Sequence, residues 1–283
     1  MSYSAVNFTI HEASTNPTNT EIDILGSCLF GFSSLFGLPT HFYVIWLILT
    51  GTQSGVASEF FNLNLSVCGI FVSVNALLIL VSKWFPFQSL TALTQFFFGL
   101  TVTGHPLFQC LMCAERYLAV VHPVTFLKYK PLRYRVICCT AVWITTLGSC
   151  LCCMLGLLLM FTVYTFMWFL SIQFIVYLSI QLFCCVAVLR ALKQSGPGER
   201  GREREEENHM KRRAFHLIVI TTVNTVITYA PFTITGLISA VSEQRFHIFW
   251  VLSNICFLLA YLVPPILYLQ RNRKLPCLSF CNM

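Results

Sequence analysis

A glutamate and an arginine stand side by side at Glu115 and Arg116, directly after a long run of residues without formal charge. Charge inside or beside a membrane span is costly and is usually kept for function. Tyr117 follows, and the pair His122-Pro123 breaks the segment before a basic loop begins. These residues could bind a partner through electrostatic interactions. They lie at the end of a span, on the side where the basic residues collect, and this position suits contact with a cytoplasmic partner.

The composition is that of a membrane protein. Of the 283 residues, 56% are hydrophobic and 10% are charged, whereas soluble domains carry roughly 25% charged residues. The net charge of +7 could indicate nucleic-acid binding, but the basic residues fall in short loops between apolar runs, which is a topology signal. We therefore expect a lipid bilayer, and no nucleic acid, around this chain.

The 14 cysteines indicate neither a disulfide scaffold nor a metal centre. Eleven of them lie in apolar runs, where cysteine acts as a small, polarisable packing residue. No spacing among them is that of a metal site. No His-Glu-x-x-His segment and no paired aspartates occur. The sequence therefore predicts no metal, no cofactor and no enzyme activity.

Seven apolar runs reach the length of about 20 residues that suffices to cross a bilayer. The run from Val136 to Leu189 is uncharged over 54 residues and would be about 80 Å long as one helix. It must therefore fold back, and we expect the turn near Val163 to Met167. The predicted spans are Ile24–Thr50, Phe60–Ser82, a third that ends near Val121, a fourth and a fifth within 136–189, Ala214–Ser242 and Phe246–Gln270.

These spans predict an all-α membrane protein with a seven-transmembrane helix bundle at 24–270, between tails at 1–23 and 271–283. Sixteen Lys and Arg residues lie on one side of it, and two lie on the other. Because cytoplasmic loops carry the excess of Lys and Arg, we expect the N-terminus outside and the C-terminus in the cytoplasm. Asn7 then begins a glycosylation triplet outside. The charged stretch 195–213 fits a solvated helix extension or a docking surface for a partner.

The nine residues that begin at Glu115 (ERYLAVVHP) resemble the motif at the inner end of helix three in rhodopsin-like (class A) G-protein-coupled receptors. The resemblance covers nearly the whole chain, which would be a divergent member. In that family the arginine pairs with its acidic neighbour at rest and binds the G protein when helix six swings out. The resemblance implies a switch formed by Glu115, Arg116 and Tyr117. An interfacial ion pair without further role is the alternative.

Proline segments in the last two spans support this resemblance. Thr-Tyr-Ala-Pro, ending at Pro231, stands where the family has Cys-Trp-x-Pro, and Pro-Pro-Ile-Leu-Tyr, ending at Tyr268, stands where it has Asn-Pro-x-x-Tyr. Because proline removes a backbone hydrogen bond and kinks a helix, Pro231 and Pro265 are expected hinges. The resemblance gives Tyr229 the place of the toggle tryptophan. It also implies that Tyr268 swings toward Arg116 in the active state.

Several positions depart from the family's pattern. Gly69 replaces the acid that binds sodium among the helices, His41 stands where asparagine is expected, and Pro264 replaces the asparagine of span seven. We expect His41 to be a hydrogen-bonded core residue. The family's disulfide from the top of helix three to the second outer loop cannot form, because 83–100 and 154–183 contain no cysteine.

The absence of certain residue types from the spans narrows the class of ligand. No acid lies between Trp84 and Ala114 to pair with an amine, and span seven has no lysine for a retinal Schiff base. The outer halves of spans six and seven lack the basic cluster expected for a nucleotide. What remains is an apolar, aromatic-rich cavity for an unidentified extracellular ligand. The residues that could line it by position are Gln95, Phe98, Tyr229, Phe232, Thr233 and Phe257.

The predicted function is that of a plasma-membrane receptor that transmits an extracellular signal to a heterotrimeric G protein through loops 122–135 and 190–213. Its chemistry would be a shift between two helix packings. One alternative is a receptor-like protein that has lost signalling. Another is a transporter or channel, which would need ionisable groups near mid-membrane. In the tail, Cys277 and Cys281 follow a basic cluster, which suits palmitoylation, and free thiols are the alternative.

Overall fold

A computed structural model describes residues 17–50, 59–85, 87–129, 132–158, 163–194, 202–242 and 247–271. Within these ranges every regular element is an α-helix. The helices are α1 Pro17–Thr50, α2 Phe60–Trp84, α3 Gln88–Val121, α4 Pro123–Tyr129, α5 Leu132–Leu158, α6 Val163–Gln194, α7 Arg202–Ser242, α8 His247–Ala260 and α9 Val263–Arg271.

Seven stretches of these helices are long and apolar enough to cross a bilayer, and the seventh runs through both α8 and α9. The predicted all-α bundle of seven spans is thereby confirmed. The direction in which the chain crosses the bilayer stays a prediction from its charge distribution.

Helix α3 lies at the centre of the bundle. It packs against α2, α5, α6 and α7, while α1 contacts both α2 and α8 and so closes the ring of helices. The apolar window of α3 is 67% buried, compared with 22% to 50% for the other six spans. A side chain on α3 therefore meets protein on most sides, which makes this helix the one that can position groups for the whole bundle.

Large apolar side chains cover the outside of the bundle, and polar ones lie within it. Leu35, Ile144 and Phe183 expose 70%, 66% and 62% of their surface, whereas Gln181 and Thr225 are completely buried. Such an arrangement would be costly in water, since burying one large apolar side chain is favourable by about 1.5–3 kcal/mol of free energy. It suits a bundle whose outer face meets lipid.

The reversal in the long uncharged run lies between Leu158, the end of α5, and Val163, the start of α6. The predicted turn near Val163 to Met167 is wrong, because these residues begin α6. They include neither glycine nor proline, the residues that most strongly end a helix. The charged stretch after Gly201 is helical, because α7 begins at Arg202, as the interpretation of a helix extension predicts.

The seventh span is interrupted just before its two prolines. Pro264 and Pro265 have no N–H to donate to the carbonyls of Ala260 and Tyr261. The chain leaves regular α-helix there, and the Leu262 N–H donates to the Leu259 carbonyl at 3.2 Å, one residue closer than in an α-helix. By contrast, α7 continues through Pro231. The helix is therefore interrupted between Ala260 and Val263, just before the expected hinge at Pro265. The expected hinge at Pro231 lies within a continuous helix.

Gly99 allows α3 and α5 to approach closely. A Cβ atom at this position would lie 2.7 Å from the Cys150 Cα and 2.9 Å from the Ser149 carbonyl oxygen. Both are backbone atoms, so neither can give way by changing a rotamer. On α5, a Cβ atom added to Gly148 would meet no heavy atom of a neighbouring residue within 4 Å, which makes this glycine a matched comparison.

We predict that Gly99→Ala lowers the free energy of unfolding by about 1–3 kcal/mol, the usual cost of overpacking. Gly148→Ala should be neutral or stabilising by up to about 1 kcal/mol, because alanine is the better helix former. Thermal unfolding of the two purified variants measures the difference. Equal melting temperatures would contradict the close contact between α3 and α5.

Candidate functional site

A cavity of about 590 Å³ lies among α2, α3, α7 and α9. We call it the arginine cavity, because Arg116 lines it. Tyr268, the residue expected to move toward Arg116, lines the same cavity and is buried in a cluster with Val44 and Leu47 of α1. The other described residues in its wall are Asn62, Gln109, Met112, Cys113, Leu217, Ile218, Thr221, Asn224, Val263, Pro264 and Leu267.

Glu115 forms a salt bridge with Arg135, near the start of α5, in which the guanidinium Nη2 donates to the Glu115 Oε1. Only 8% of the Arg135 side chain and 17% of the Glu115 side chain are exposed. Sequence analysis named Arg116 as the partner of Glu115, and that pairing stays a prediction. Arg135 is a second basic partner that it did not name. Because breaking a buried pair leaves an uncompensated charge, this pair fastens α3 to α5.

Tyr117 connects the end of α3 to its surroundings. Its hydroxyl lies 3.0 Å from the His122 Nε2, and its ring meets the Phe183 ring of α6 edge-on, with centroids 5.6 Å apart. It also packs against a buried cluster that includes Val188 of α6 and Ile218 of α7. Glu115 therefore contacts α5, Tyr117 contacts α6, and Arg116 between them lines the arginine cavity.

A second cavity, of about 570 Å³, lies among α1, α2, α3, α6, α7 and α8. We call it the aromatic cavity, because five aromatic residues line it. Gln95, one of the predicted ligand residues, is absent from its wall, since it lies a helical turn beyond Phe98 toward the start of α3. The predicted residues that do line it are Phe98, Tyr229, Phe232, Thr233 and Phe257.

Tyr229 lies where the aromatic cavity meets α3. Its hydroxyl donates to the Val102 carbonyl at 3.3 Å. Its ring stacks on Phe174 of α6 and meets Phe257 of α8 edge-on, both with centroids 6.3 Å apart. The tyrosine in the tryptophan position is therefore held by a hydrogen bond that tryptophan, which has no hydroxyl, could not make in the same way.

A buried hydrogen bond joins α7 to α3 between the two cavities. The Thr225 hydroxyl donates to the Gln109 Oε1 at 3.2 Å, and both residues are almost completely inaccessible to solvent. Thr225 lies one turn before Tyr229, and Gln109 lines the arginine cavity. The two cavities thus share a polar contact between the same two helices.

His41 fills the space beside Gly69. A Cβ atom on Gly69 would lie 2.1 Å from the His41 Cε1 and 2.2 Å from its Nε2. The imidazole is fully buried, and neither ring nitrogen has a hydrogen-bond partner among the described residues. The hydrogen bonds expected for His41 are therefore absent among the described residues. The room left by the missing acid is taken by this ring.

The Tyr261 hydroxyl connects three helices by hydrogen bonds close to His41. Tyr261, at the end of α8, donates to the Ser33 carbonyl at 2.6 Å, and its oxygen lies 3.1 Å from the hydroxyls of Ser33 on α1 and Ser73 on α2. The Tyr261 and His41 rings are stacked, with centroids 5.7 Å apart. This cluster holds α1, α2 and α8 in register beside both cavities.

Sequence reasoning did not single out Arg135, Gln109, Asn75 or Tyr261. The available signal was a polar residue within an apolar span, which is costly unless it is satisfied or used, but nothing in the sequence tells which of these residues meet. The glycosylation prediction at Asn7 and the palmitoylation predictions at Cys277 and Cys281 lie outside the described residues.

The family model for the 7 transmembrane receptor (rhodopsin family) matches residues 41–268. This range covers most of the chain and includes both sides of the arginine cavity. The chain belongs to the rhodopsin family of seven-transmembrane receptors. The resemblance noted at Glu115 to Pro123 is confirmed, and the receptor is a multi-pass protein of the plasma membrane.

Known receptors are similar to this one at low identity. Human C-C chemokine receptor type 8 is 26% identical over 191 residues, covering 57% of this chain and 51% of that protein. Rat hydroxycarboxylic acid receptor 2 is 25% identical over 246 residues, covering 78% and 62%. Rat uracil nucleotide/cysteinyl leukotriene receptor is 25% identical over 127 residues, covering 43% and 38%. The receptor spans about half the length of these relatives, and both family and relatives are receptors, not enzymes.

We predict that Gly69→Ala destabilises the receptor, because its Cβ would overlap the buried His41 ring. In a His41→Ala background the same substitution should cost at least about 1 kcal/mol less, since residues in contact give coupling energies of about 0.5–3 kcal/mol. Thermal unfolding of the wild type, both single variants and the double variant completes the cycle. Additive effects would refute the direct contact.

Proposed function

We propose that this receptor takes up an extracellular ligand in the aromatic cavity and couples to a heterotrimeric G protein at the arginine cavity. No bond is made or broken, and the ligand shifts the balance between two helix packings. The G protein meets Arg116 and the loops 122–135 and 190–213. The N-terminal tail 1–23 lies outside and the tail 271–283 in the cytoplasm, as the distribution of basic residues predicts.

One observation carries this proposal: α3 and α7, together with α2, line both cavities. Helix α3 contributes Phe98 to the aromatic cavity and Arg116 to the arginine cavity, and α7 contributes Phe232 and Leu217. A ligand that moves α7 against α3 in one cavity must therefore change the shape of the other. Small shifts at one site are amplified in this way when packed helices have two discrete arrangements.

The class of ligand is narrowed by charge. Relatives carry names that refer to chemokines, to uracil nucleotides and cysteinyl leukotrienes, and to hydroxycarboxylic acids. The described wall of the aromatic cavity has no charged residue, so a charge buried there would lack a partner, which is costly. We infer that amines and nucleotides are not ligands of this receptor, and that retinal is not one either, because span seven has no lysine for its Schiff base.

A receptor-like protein that does not signal is the second candidate. Tyr229 in the tryptophan position and Pro264 in the asparagine position favour it, because both are switch positions of the family. A transporter or channel is disfavoured, since Glu59 and Glu115, the two acids beside the inner parts of the spans, lie near helix ends and not at the middle of a pathway.

We predict that Arg116→Ala abolishes G-protein activation and leaves surface expression largely intact. Arg116 lines a cavity and fills no hydrophobic core cluster, so its loss removes a contact for the partner more than it disturbs packing. Signalling of wild type and variant in a panel of G-protein assays, normalised to surface expression, measures this. Equal output from both would remove Arg116 from the mechanism, and silence of both would favour the non-signalling candidate.

We also predict that Arg135→Ala raises ligand-independent signalling several-fold over wild type, because it unfastens the Glu115 end of α3 from α5. Arg135→Lys keeps a positive charge near Glu115 and should stay closer to wild type. The same assays without added ligand provide the measurement. Unchanged basal output in Arg135→Ala, at equal surface expression, would show that this salt bridge does not restrain the receptor.

A further inference from the structure

Asn75 of α2 lies in the wall of the aromatic cavity and carries a hydrogen-bonding atom that has no partner among the described residues. The residue lines this cavity and exposes only 5% of its surface. Its Oδ1 is buried and has no hydrogen-bond partner among the described residues. Buried polar side-chain atoms in proteins are in large majority paired, and each exception needs an explanation.

The unpaired carbonyl oxygen has a physical cost. A buried acceptor without a partner loses its hydration and receives nothing in exchange. The oxygen and nitrogen of an asparagine amide are assigned from their surroundings, and as assigned here the oxygen lacks a hydrogen-bond donor among the described residues. A bound molecule that donates to the amide oxygen would meet it.

The rest of the wall sets the character of that molecule. Its described residues are aromatic or aliphatic apart from Asn75, Asn254 and two threonines, and Tyr229 adds a hydroxyl to its aromatic ring. The hydroxyl of Thr101 donates to Phe97, that of Thr233 to Tyr229 and that of Tyr229 to Val102. These three hydroxyls therefore already donate their protons in hydrogen bonds within the protein.

We propose that the aromatic cavity binds an uncharged, mainly apolar ligand that carries one O–H or N–H group, and that this group donates to the Asn75 Oδ1. The inference rests on the proposed function, because it names the ligand class for the same cavity. It makes Asn75 the residue that selects for a donor. The apolar wall contributes affinity, but it does not distinguish between ligands whose carbon skeletons have a suitable size.

An anionic amphiphile is the rival ligand. Lys83 lies one helical turn beyond Ile79, a residue of the cavity wall, and its ammonium donates to the Ser27 hydroxyl at 2.8 Å. A carboxylate head could reach this lysine from the mouth of the cavity. The cavity wall itself offers such a head no cation among its described residues, which is why we favour the uncharged ligand.

A matched series of probes tests the proposal on the purified full chain in lipid nanodiscs. The probes are dodecanol, dodecyl methyl ether, dodecanoic acid and dodecylamine, which share one chain and differ in charge and in having a donor. We expect dodecanol to raise the melting temperature in a saturable way. The ether, which accepts but cannot donate, should require at least about tenfold more probe for the same shift, the loss of one hydrogen bond. The acid and the amine should give no saturable shift.

Two variants separate recognition from structure. Asn75→Leu should make dodecanol no better than the ether, and should leave the melting temperature without probe unchanged or raised, because it removes an unpaired acceptor. Lys83→Gln is the matched control and should leave the dodecanol response unchanged. The proposal is overturned if dodecanol gives no saturable shift, or if Asn75→Leu keeps the preference for dodecanol over the ether.

A saturable shift with dodecanoic acid that Lys83→Gln abolishes would likewise overturn it in favour of the anionic ligand. The probe series on the unmodified chain decides the question even where N75L fails to fold. Because the readout is binding, these outcomes are independent of G-protein coupling. A receptor that binds dodecanol through Asn75 and activates no G protein would sustain this inference while the proposed function failed.

Discussion

The contact between α3 and α7 is the constraint on which the rest of the receptor depends. Two hydrogen bonds cross it, from Thr225 to Gln109 and from Tyr229 to the Val102 carbonyl, and they lie between the aromatic and the arginine cavity. Inside a bilayer no water competes for these groups, so separating them leaves polar atoms unpaired. The contact is therefore expected to have a few discrete arrangements rather than a continuum. By linkage, any ligand that prefers one arrangement in one cavity changes affinity in the other.

The polar core around His41 shows how departures from the family's pattern compensate one another. Gly69, without a side chain, makes room for the imidazole of His41, and Tyr261 brings its hydroxyl to Ser33 and Ser73. One substitution without the other would leave a hole or a clash in a fully buried site. The receptor therefore keeps a packed core where the family places an acid: the His41 ring fills the space, and the neighbouring Tyr261 hydroxyl is held by two serines.

The sequence predicted the bundle well because hydrophobic length and the absence of charge report directly on a bilayer. The end of α3 at Val121 follows from the proline at the next position but one, and the pocket residues from Phe98 to Phe257 follow from family position. The sequence did not predict the features that depend on which side chains contact one another. Arg135 was counted only as a loop cation, Asn75 was not noticed, and the turn after Leu158 was misplaced because no glycine or proline marks it. Contacts between helices have no local signature in the chain.

In the proposed mechanism the arginine cavity opens because α7 moves away from the end of α3. This movement is tested most directly by the distance between spin labels at Val124, which is 82% exposed just beyond α3, and at Arg212, which is exposed on α7. Double electron–electron resonance would record this distance in a chain whose exposed cysteines have been replaced, with and without nucleotide-free G protein. The account predicts that the distance lengthens when the G protein binds. A distance that stays the same or shortens in the bound complex would contradict it.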